Sequence, residues 1–194
     1  VLVATVRALK MHGGVEKDDL KKENLVALKK GLPNLERHIE NIKKFGLDLV
    51  VAVNYFASDT DNEVKTIQDF CSKLGVKACL CTQWSDGGNG TKDLANQVVE
   101  LTNKSNKSKF KYLYSDEISI LEKIERIAKE IYRAKGIDID EKIKEQIKKI
   151  EQAGFGKFPI CIAKTQYSFS TNPKLKGAPS DHTLTVREVR LSSG

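Results

Sequence analysis

The stretch CTQWSDGGNG, residues 81–90, contains the residue types that most clearly suggest a ligand site. It holds the only tryptophan of the chain, Trp84, and a glycine cluster that includes Gly87 and Gly88. A glycine-rich turn leading into a helix can bind phosphate, because backbone N–H groups and the helix dipole favour an anion. The Lys-Ser/Thr spacing of a Walker-type loop is absent, so a phosphate contact and a purely structural turn both stay open.

Four further side chains could contact a nucleotide or a phosphate. Arg7 and Lys10 follow the first apolar run of the chain and could pair with phosphate or carboxylate oxygens, with a surface ion pair as the plain alternative. Asn54 and Asp59 follow the second apolar run, at positions where guanine-binding proteins read the base, although the spacing here is longer. The structural alternative is that Asn54 ties loops together and that Asp59 caps a helix.

Phe56 and Trp84 form a second candidate constellation. Each lies a few residues past the end of a predicted strand. Two aromatic rings on adjacent loops can hold a planar ligand between them, and burying such a ring contributes roughly a few kcal/mol. The alternative is that both rings pack in the core.

Composition narrows the class of partner. The net charge is +7, but most basic residues alternate with acids along predicted helices, which is typical of a solvated face. Anionic small molecules are therefore expected as partners rather than nucleic acid. No apolar run approaches the roughly 20 residues of a membrane helix, and no signal peptide is seen, which favours a cytoplasmic protein without a membrane partner. The cysteines and histidines lack metal-ligand spacing, so no metal site is expected.

The elements that must position these residues alternate along the chain. Apolar runs predict strands at 1–5, 47–53 and 76–82. A helix is predicted from Asp18 or Asp19 to Lys30, with Gly31 as its stop, and a second from Asn34 to Gly46. A third is predicted from Asp59 or Thr60 to Gly75, with Glu63 in a capping box, and a fourth over 91–103. This order predicts a parallel sheet with right-handed connections. Ligands bind at the carboxyl ends of such strands, so loops 7–14, 54–60 and 82–90 are expected to converge.

The polar, basic segment 104–111 predicts a boundary between two parts. Residues 1–104 are expected to form an α/β part, a parallel sheet with flanking helices like part of a P-loop nucleoside triphosphatase. Residues 112–194 are expected to form a smaller helical and α/β second lobe. Its predicted elements are helices at 116–134 and 140–153 and strands at 158–164 and 184–191, with a long loop before the last strand.

Six motifs carry a resemblance to a known family. In chain order they are ATVRALKMHGG, LPNLERHIEN, VVAVNYFASDT, WSDGGNG, PICIAKTQYS and GAPSDHTLTVREV. Together they resemble formate–tetrahydrofolate ligase, also called 10-formyltetrahydrofolate synthetase. The resemblance implies a ligase in which MgATP phosphorylates formate and the N10 amine of tetrahydrofolate captures the formyl group. It also implies a monovalent cation and a homo-oligomer for the full-length protein.

The resemblance assigns roles to two of the candidate residues. Phe56 matches the aromatic of the family's NxF motif and Trp84 the tryptophan before its GG, and in the family these rings stack on folate. Ala57 stands where the family has proline. Residues 1–104 would then be part of the nucleotide- and folate-binding domain.

The family's phosphate loop lies N-terminal to the matched region. The chain is therefore expected to be a middle-to-C-terminal fragment that is inactive alone, and no catalytic residue is assigned to it. The alternative is a non-catalytic nucleotide-fold module that binds a protein or nucleic acid through basic surfaces.

Overall fold

The computed structural model describes residues 1–104, 110–163 and 165–192. The chain forms two compact units: Val1–Lys111 with Lys176–Ala178, and Tyr112–Leu175 with Pro179–Gly194. Residues 105–109 of the predicted boundary segment lie outside the described residues. Within the described ranges, no helix is long and apolar enough to cross a membrane.

The first unit is built on a parallel sheet of three strands in the order β1-β2-β3. The strands are β1 (Leu2–Ala4), β2 (Val51–Asn54) and β3 (Ala78–Cys81). Val3 pairs with Ala52 and Ala52 with Cys79, so the three carboxyl ends lie at one edge. The flanking helices are α1 (Val6–His12), α2 (Leu25–Lys44), α3 (Asp61–Lys73), α4 (Gln83–Asp86) and α5 (Lys92–Lys104). The predicted α/β architecture is confirmed.

The prediction of a loop over 7–14 is wrong, because α1 occupies most of it. The Thr5 hydroxyl caps this helix by accepting from the Ala8 N–H at 3.0 Å. The buried face consists of Val6, Leu9 and Lys10, at the spacing of one helical stripe. A lysine within the buried stripe conceals the amphipathic pattern in the sequence.

The helix predicted to stop at Gly31 instead continues as α2, through Pro33. A methyl group on Gly31 would lie 1.8 Å from the Leu9 carbonyl oxygen. A methyl group on Gly13 would lie 1.8 Å from the Ala27 carbonyl oxygen. Both glycines therefore allow backbone contact between α1 and α2. Gly13 also caps the C-terminus of α1, whereas Gly31 does not end a helix.

Asn34 was predicted to begin a helix but lies buried within α2. Its side-chain amide donates to the Gly177 carbonyl at 2.8 Å, and the Gly177 N–H donates to His12 Nδ1 at 3.0 Å. These two bonds hold Lys176–Ala178 within the first unit although they are distant in sequence.

The predicted capping box at the start of α3 is confirmed, with Thr60 as the cap and Glu63 as its partner. Glu63 also forms a fully buried ion pair with Lys10, with 2.8 Å between Nζ and Oε1. Burial acts to raise the pKa of Glu63, but Lys10 and the N–H groups of Asn24 and Thr60 outweigh it and lower the pKa below the ordinary glutamate value. The pair therefore stabilises the fold above that ordinary value, and its contribution is lost as pH falls through the lowered pKa.

The second unit contains α6 (Ile120–Glu130), β4 (Gly136–Ile139), α7 (Glu141–Ile150), a π-helical turn (Glu151–Phe155) and β5 (Thr183–Val186). Strands β4 and β5 pair in parallel. The core of this unit consists of isoleucines from α6 and α7: Ile120, Ile124, Ile143 and Ile147.

The strand predicted at 158–164 is wrong for residues 158–163, and residue 164 lies outside the described residues. The backbone of this segment forms hydrogen bonds with side chains instead. The Ile160 N–H donates to the Tyr114 hydroxyl at 2.9 Å, and the buried Lys123 ammonium donates to the Phe158 carbonyl at 3.1 Å. The sequence prediction did not include β4.

Lys10→Met should lower the free energy of unfolding of the chain by about 3–5 kcal/mol, because it leaves the Glu63 carboxylate buried without its counter-charge. Urea unfolding followed by circular dichroism measures the loss. The matched control is Lys65→Met, whose pair with Asp69 is exposed and should contribute at most about 1 kcal/mol. Equal losses in the two variants would contradict the role of the buried pair.

Candidate functional site

The loops after β2 and β3, two of the three predicted to converge, meet at the carboxyl edge of the sheet in the first unit, and α1 takes the place of the third. The Tyr55 N–H donates to the Cys81 carbonyl at 3.0 Å, which joins the loops after β2 and β3. The Gln83 side-chain amide donates to Asn54 Oδ1 at 2.7 Å, which joins the same loops again. Asn54 therefore ties two loops together, as its structural alternative expected.

The loop after β2 is closed by two bonds between Phe56 and Asp59. The Asp59 N–H donates to the Phe56 carbonyl at 2.8 Å, and the Phe56 N–H donates to Asp59 Oδ2 at 3.0 Å. Burial raises the pKa of Asp59, against the opposing effects of the Phe56 N–H, Arg7 and Lys10. Asp59 Oδ1 is buried and has no hydrogen-bond partner among the described residues. In this geometry Asp59 holds the loop, while Thr60 caps α3.

Arg7 lies near the start of α1, just past the end of β1 at the same edge, and its side chain reaches the loop after β2. Its guanidinium carbon lies 4.1 Å from the centre of the Phe56 ring, a cation–π contact. Its Nη2 donates to the Ser58 hydroxyl at 3.2 Å. The Phe56 ring itself stays 38% exposed.

Lys10, the other predicted anion contact on this segment, is fully buried. Its ammonium donates to the Lys22 carbonyl at 2.9 Å and pairs with Glu63 at 2.8 Å. The ammonium therefore has no exposed surface to offer a phosphate. On the helix α1, Lys10 lies four residues after Val6 and next to Leu9, so it belongs to the buried stripe.

The loop after β3 presents Trp84 on the short helix α4, and its side chain is 95% exposed. The core-packing alternative is therefore wrong for this residue. The loop is closed at its base, where the Thr82 N–H donates to the Gly90 carbonyl at 3.1 Å. A methyl group on Gly90 would lie 2.6 Å from the Thr82 carbonyl carbon, so only glycine permits this closure.

Gly87 and Gly88 begin a 3-10 turn that leads into α5. Gly87 has φ of +54°, and the Gly88 carbonyl accepts from the Thr91 hydroxyl at 3.1 Å. Hydrogen bonds from Thr82 and Ser85 lower the pKa of the neighbouring Asp86, which keeps this carboxylate ionised beside the turn. A fixed negative charge here opposes phosphate, so the geometry favours a structural turn.

Sequence reasoning missed Ser58 and Gln83, which support the two candidate aromatic residues. The Ser58 hydroxyl accepts a hydrogen bond from Arg7. Gln83, the residue directly before Trp84 in the chain, donates a hydrogen bond to Asn54. Their only sequence signal is their place in loops at the carboxyl edge. Among the residues that the structure describes, no group of three or more His, Cys, Asp or Glu side chains is arranged to hold a metal.

Comparison with known proteins gives one consistent family. The model of the family described as formate–tetrahydrofolate ligase matches residues 1–194. The formate–tetrahydrofolate ligase of Pelagibacter ubique is 63% identical over all 194 residues of the chain, which cover 34% of that protein. Those of Rhizobium johnstonii and Hyphomonas neptunium are 54% and 53% identical over the whole chain, covering 34% and 35% of their lengths. The chain thus spans about a third of the length of the curated relatives it matches.

Gly90→Ala should open the base of the loop that carries Trp84, because the new methyl group would overlap the backbone at Thr82. Limited proteolysis should then cleave within residues 82–91 much faster than in the unmodified chain. Gly88→Ala is the matched control, since a methyl group there meets nothing within 4 Å. Equal cleavage rates for the two variants would show that Gly90 is not required for closure.

Proposed function

The chain belongs to the formate–tetrahydrofolate ligase family, and from this we propose that it is one segment of a complete ATP-dependent ligase, called here the parent ligase. In the proposed reaction ATP phosphorylates formate to formyl phosphate and leaves as ADP. The N10 amine of tetrahydrofolate then attacks the formyl carbon, and phosphate leaves. The product is 10-formyltetrahydrofolate.

The observation that carries the proposed role of this segment is the pair of accessible aromatic rings at the ligand edge of the sheet. Trp84 is 95% and Phe56 38% exposed, on adjacent loops joined by the bond between Gln83 and Asn54. Such exposed rings on closed loops are available for stacking without rearrangement of a core. We assign Phe56 and Trp84 to the binding of the folate ring system.

The remaining chemistry of the segment is consistent with this role. The net charge of +7 would attract substrates that carry phosphate or carboxylate groups. The attacking nucleophile belongs to the substrate, so the protein needs to position and stabilise rather than supply a reactive side chain. In the part of the chain that the structure describes, no group of three or more His, Cys, Asp or Glu side chains could hold a metal ion. We therefore assign neither a magnesium ligand nor a catalytic residue to this segment.

The 194-residue chain alone should release no ADP when supplied with formate, tetrahydrofolate, ATP and magnesium. The reason is that it contains no GxxxxGK[ST] phosphate loop. A coupled ADP-release assay measures this, with the parent ligase as the positive control. Turnover by the purified segment would contradict the prediction, and no turnover by the parent would overturn the proposed function.

Trp84→Ala in the parent ligase should raise KM for tetrahydrofolate by about tenfold, because one stacking ring is lost. KM for ATP and for formate should not change, and Trp84→Phe should retain part of the affinity. Steady-state kinetics with each substrate varied in turn measures the effect. Val26→Ala is the control, since Val26 is 82% exposed on α2 and outside the site. An unchanged KM for tetrahydrofolate in Trp84→Ala would remove this residue from the folate site.

A further inference from the structure

The ring of Phe56 has one face covered by a charged side chain. The guanidinium carbon of Arg7 lies 4.1 Å from the ring centre, close enough for a direct cation–π contact. The same guanidinium is anchored through Nη2 to the Ser58 hydroxyl, two residues after the ring. Arg7 therefore holds both the ring and the loop on which the ring stands.

The backbone of this loop is fixed separately from the ring. The two hydrogen bonds between Phe56 and Asp59 lock the main chain, with Ala57 between them. A backbone lock does not fix the side-chain rotamer of Phe56, which remains 38% exposed. The Arg7 guanidinium, whose carbon lies 4.1 Å from the ring centre, is a contact that restricts this rotamer.

The covering cation also affects what the opposite face of the ring can bind. A cation on one side of an aromatic ring draws the π electrons toward itself, since the attraction acts on the negative ring face. The opposite face becomes less negative and favours contact with an electron-rich ring. An aromatic amine, such as the one that carries N10 in tetrahydrofolate, is a ring of that kind.

We propose that Arg7 is a positioning residue for Phe56: it orients the ring and makes the face opposite the guanidinium selective for an electron-rich arylamine. This inference rests on the proposed function and names how the site distinguishes its aromatic substrate. It differs from the expectation that Arg7 contacts phosphate directly. Part of the guanidinium is already engaged, because it lies over the Phe56 ring, its Nη2 donates to Ser58, and its Nε is buried.

The geometric part is tested on the 194-residue chain by nuclear magnetic resonance. Protons of the Arg7 side chain above the Phe56 ring should be shifted upfield by the ring current. The upfield shift should disappear in Phe56→Leu and persist in Trp84→Ala. Ordinary shifts for Arg7 in the unmodified chain would overturn the inference without bearing on the proposed ligase reaction.

The functional part is tested by the kinetics of the parent ligase. Arg7→Met keeps an unbranched, flexible side chain but removes the charge, and it should raise KM for tetrahydrofolate about fivefold. KM for ATP and for formate should stay the same. Arg7→Lys should give an intermediate value, because the charge is kept but the planar fork is lost. The control is Lys21→Met, which removes an exposed charge from the same unit.

A double-mutant comparison separates positioning from a general structural effect. In the Phe56→Leu background, Arg7→Met should cause no further change in KM for tetrahydrofolate, because the ring it positions is gone. An additive effect, or an equal rise in KM for ATP, would overturn the inference and support a direct anion contact. An unchanged KM in Arg7→Met would overturn it as well while leaving the proposed function intact. No turnover by the unmodified parent would overturn both.

Discussion

The first unit depends on one buried ion pair, between Lys10 on α1 and Glu63 on α3. Charges removed from water must be compensated completely, and here every oxygen of the Glu63 carboxylate is used. Oε1 accepts from Lys10 and from the Asn24 N–H, and Oε2 accepts from the Thr60 N–H. One carboxylate therefore joins α1, the start of α2 and the start of α3. These helices cannot shift independently without leaving a charge unpaired.

This constraint sets the geometry of the ligand edge. Arg7 lies one helical turn before Lys10, and the loop of Phe56 ends at Thr60, which belongs to the same capping box as Glu63. Fixing α1 against α3 therefore fixes Arg7 against Phe56. The backbone contact between α1 and α2 at Gly31 adds a second restraint on the helix that carries Arg7.

The two aromatic residues of the edge are held in different ways. Phe56 is restrained by the charged side chain stacked on it, and its loop by the bonds to Asp59. Trp84 is fully exposed, on a loop whose base is closed through Gly90. One ring is thus oriented in advance, while the indole has freedom to adjust to a ligand. Such a combination is consistent with the proposed stacking of these two rings on a planar ligand.

The sequence by itself determined the elements whose signals are local. The apolar runs of the three strands, the capping box at Thr60 and the loops at the carboxyl ends could all be read from neighbouring residues. The places of Phe56 and Trp84 at one edge followed from the order of strands and helices. The motifs of the family were equally visible without coordinates.

Only the tertiary structure decided the features that depend on contacts between distant residues. Lys10 reads as a surface cation, yet it is buried against Glu63 on a helix where a loop was predicted. The sequence predicts a helix stop at Gly31, yet the absence of a side chain at this position allows the Leu9 backbone to pack against it. Residues 158–163 read as a strand, yet side chains bind their backbone. In each case a contact with a residue distant in sequence outweighs the local conformational preference, and the neighbouring residues do not indicate that contact.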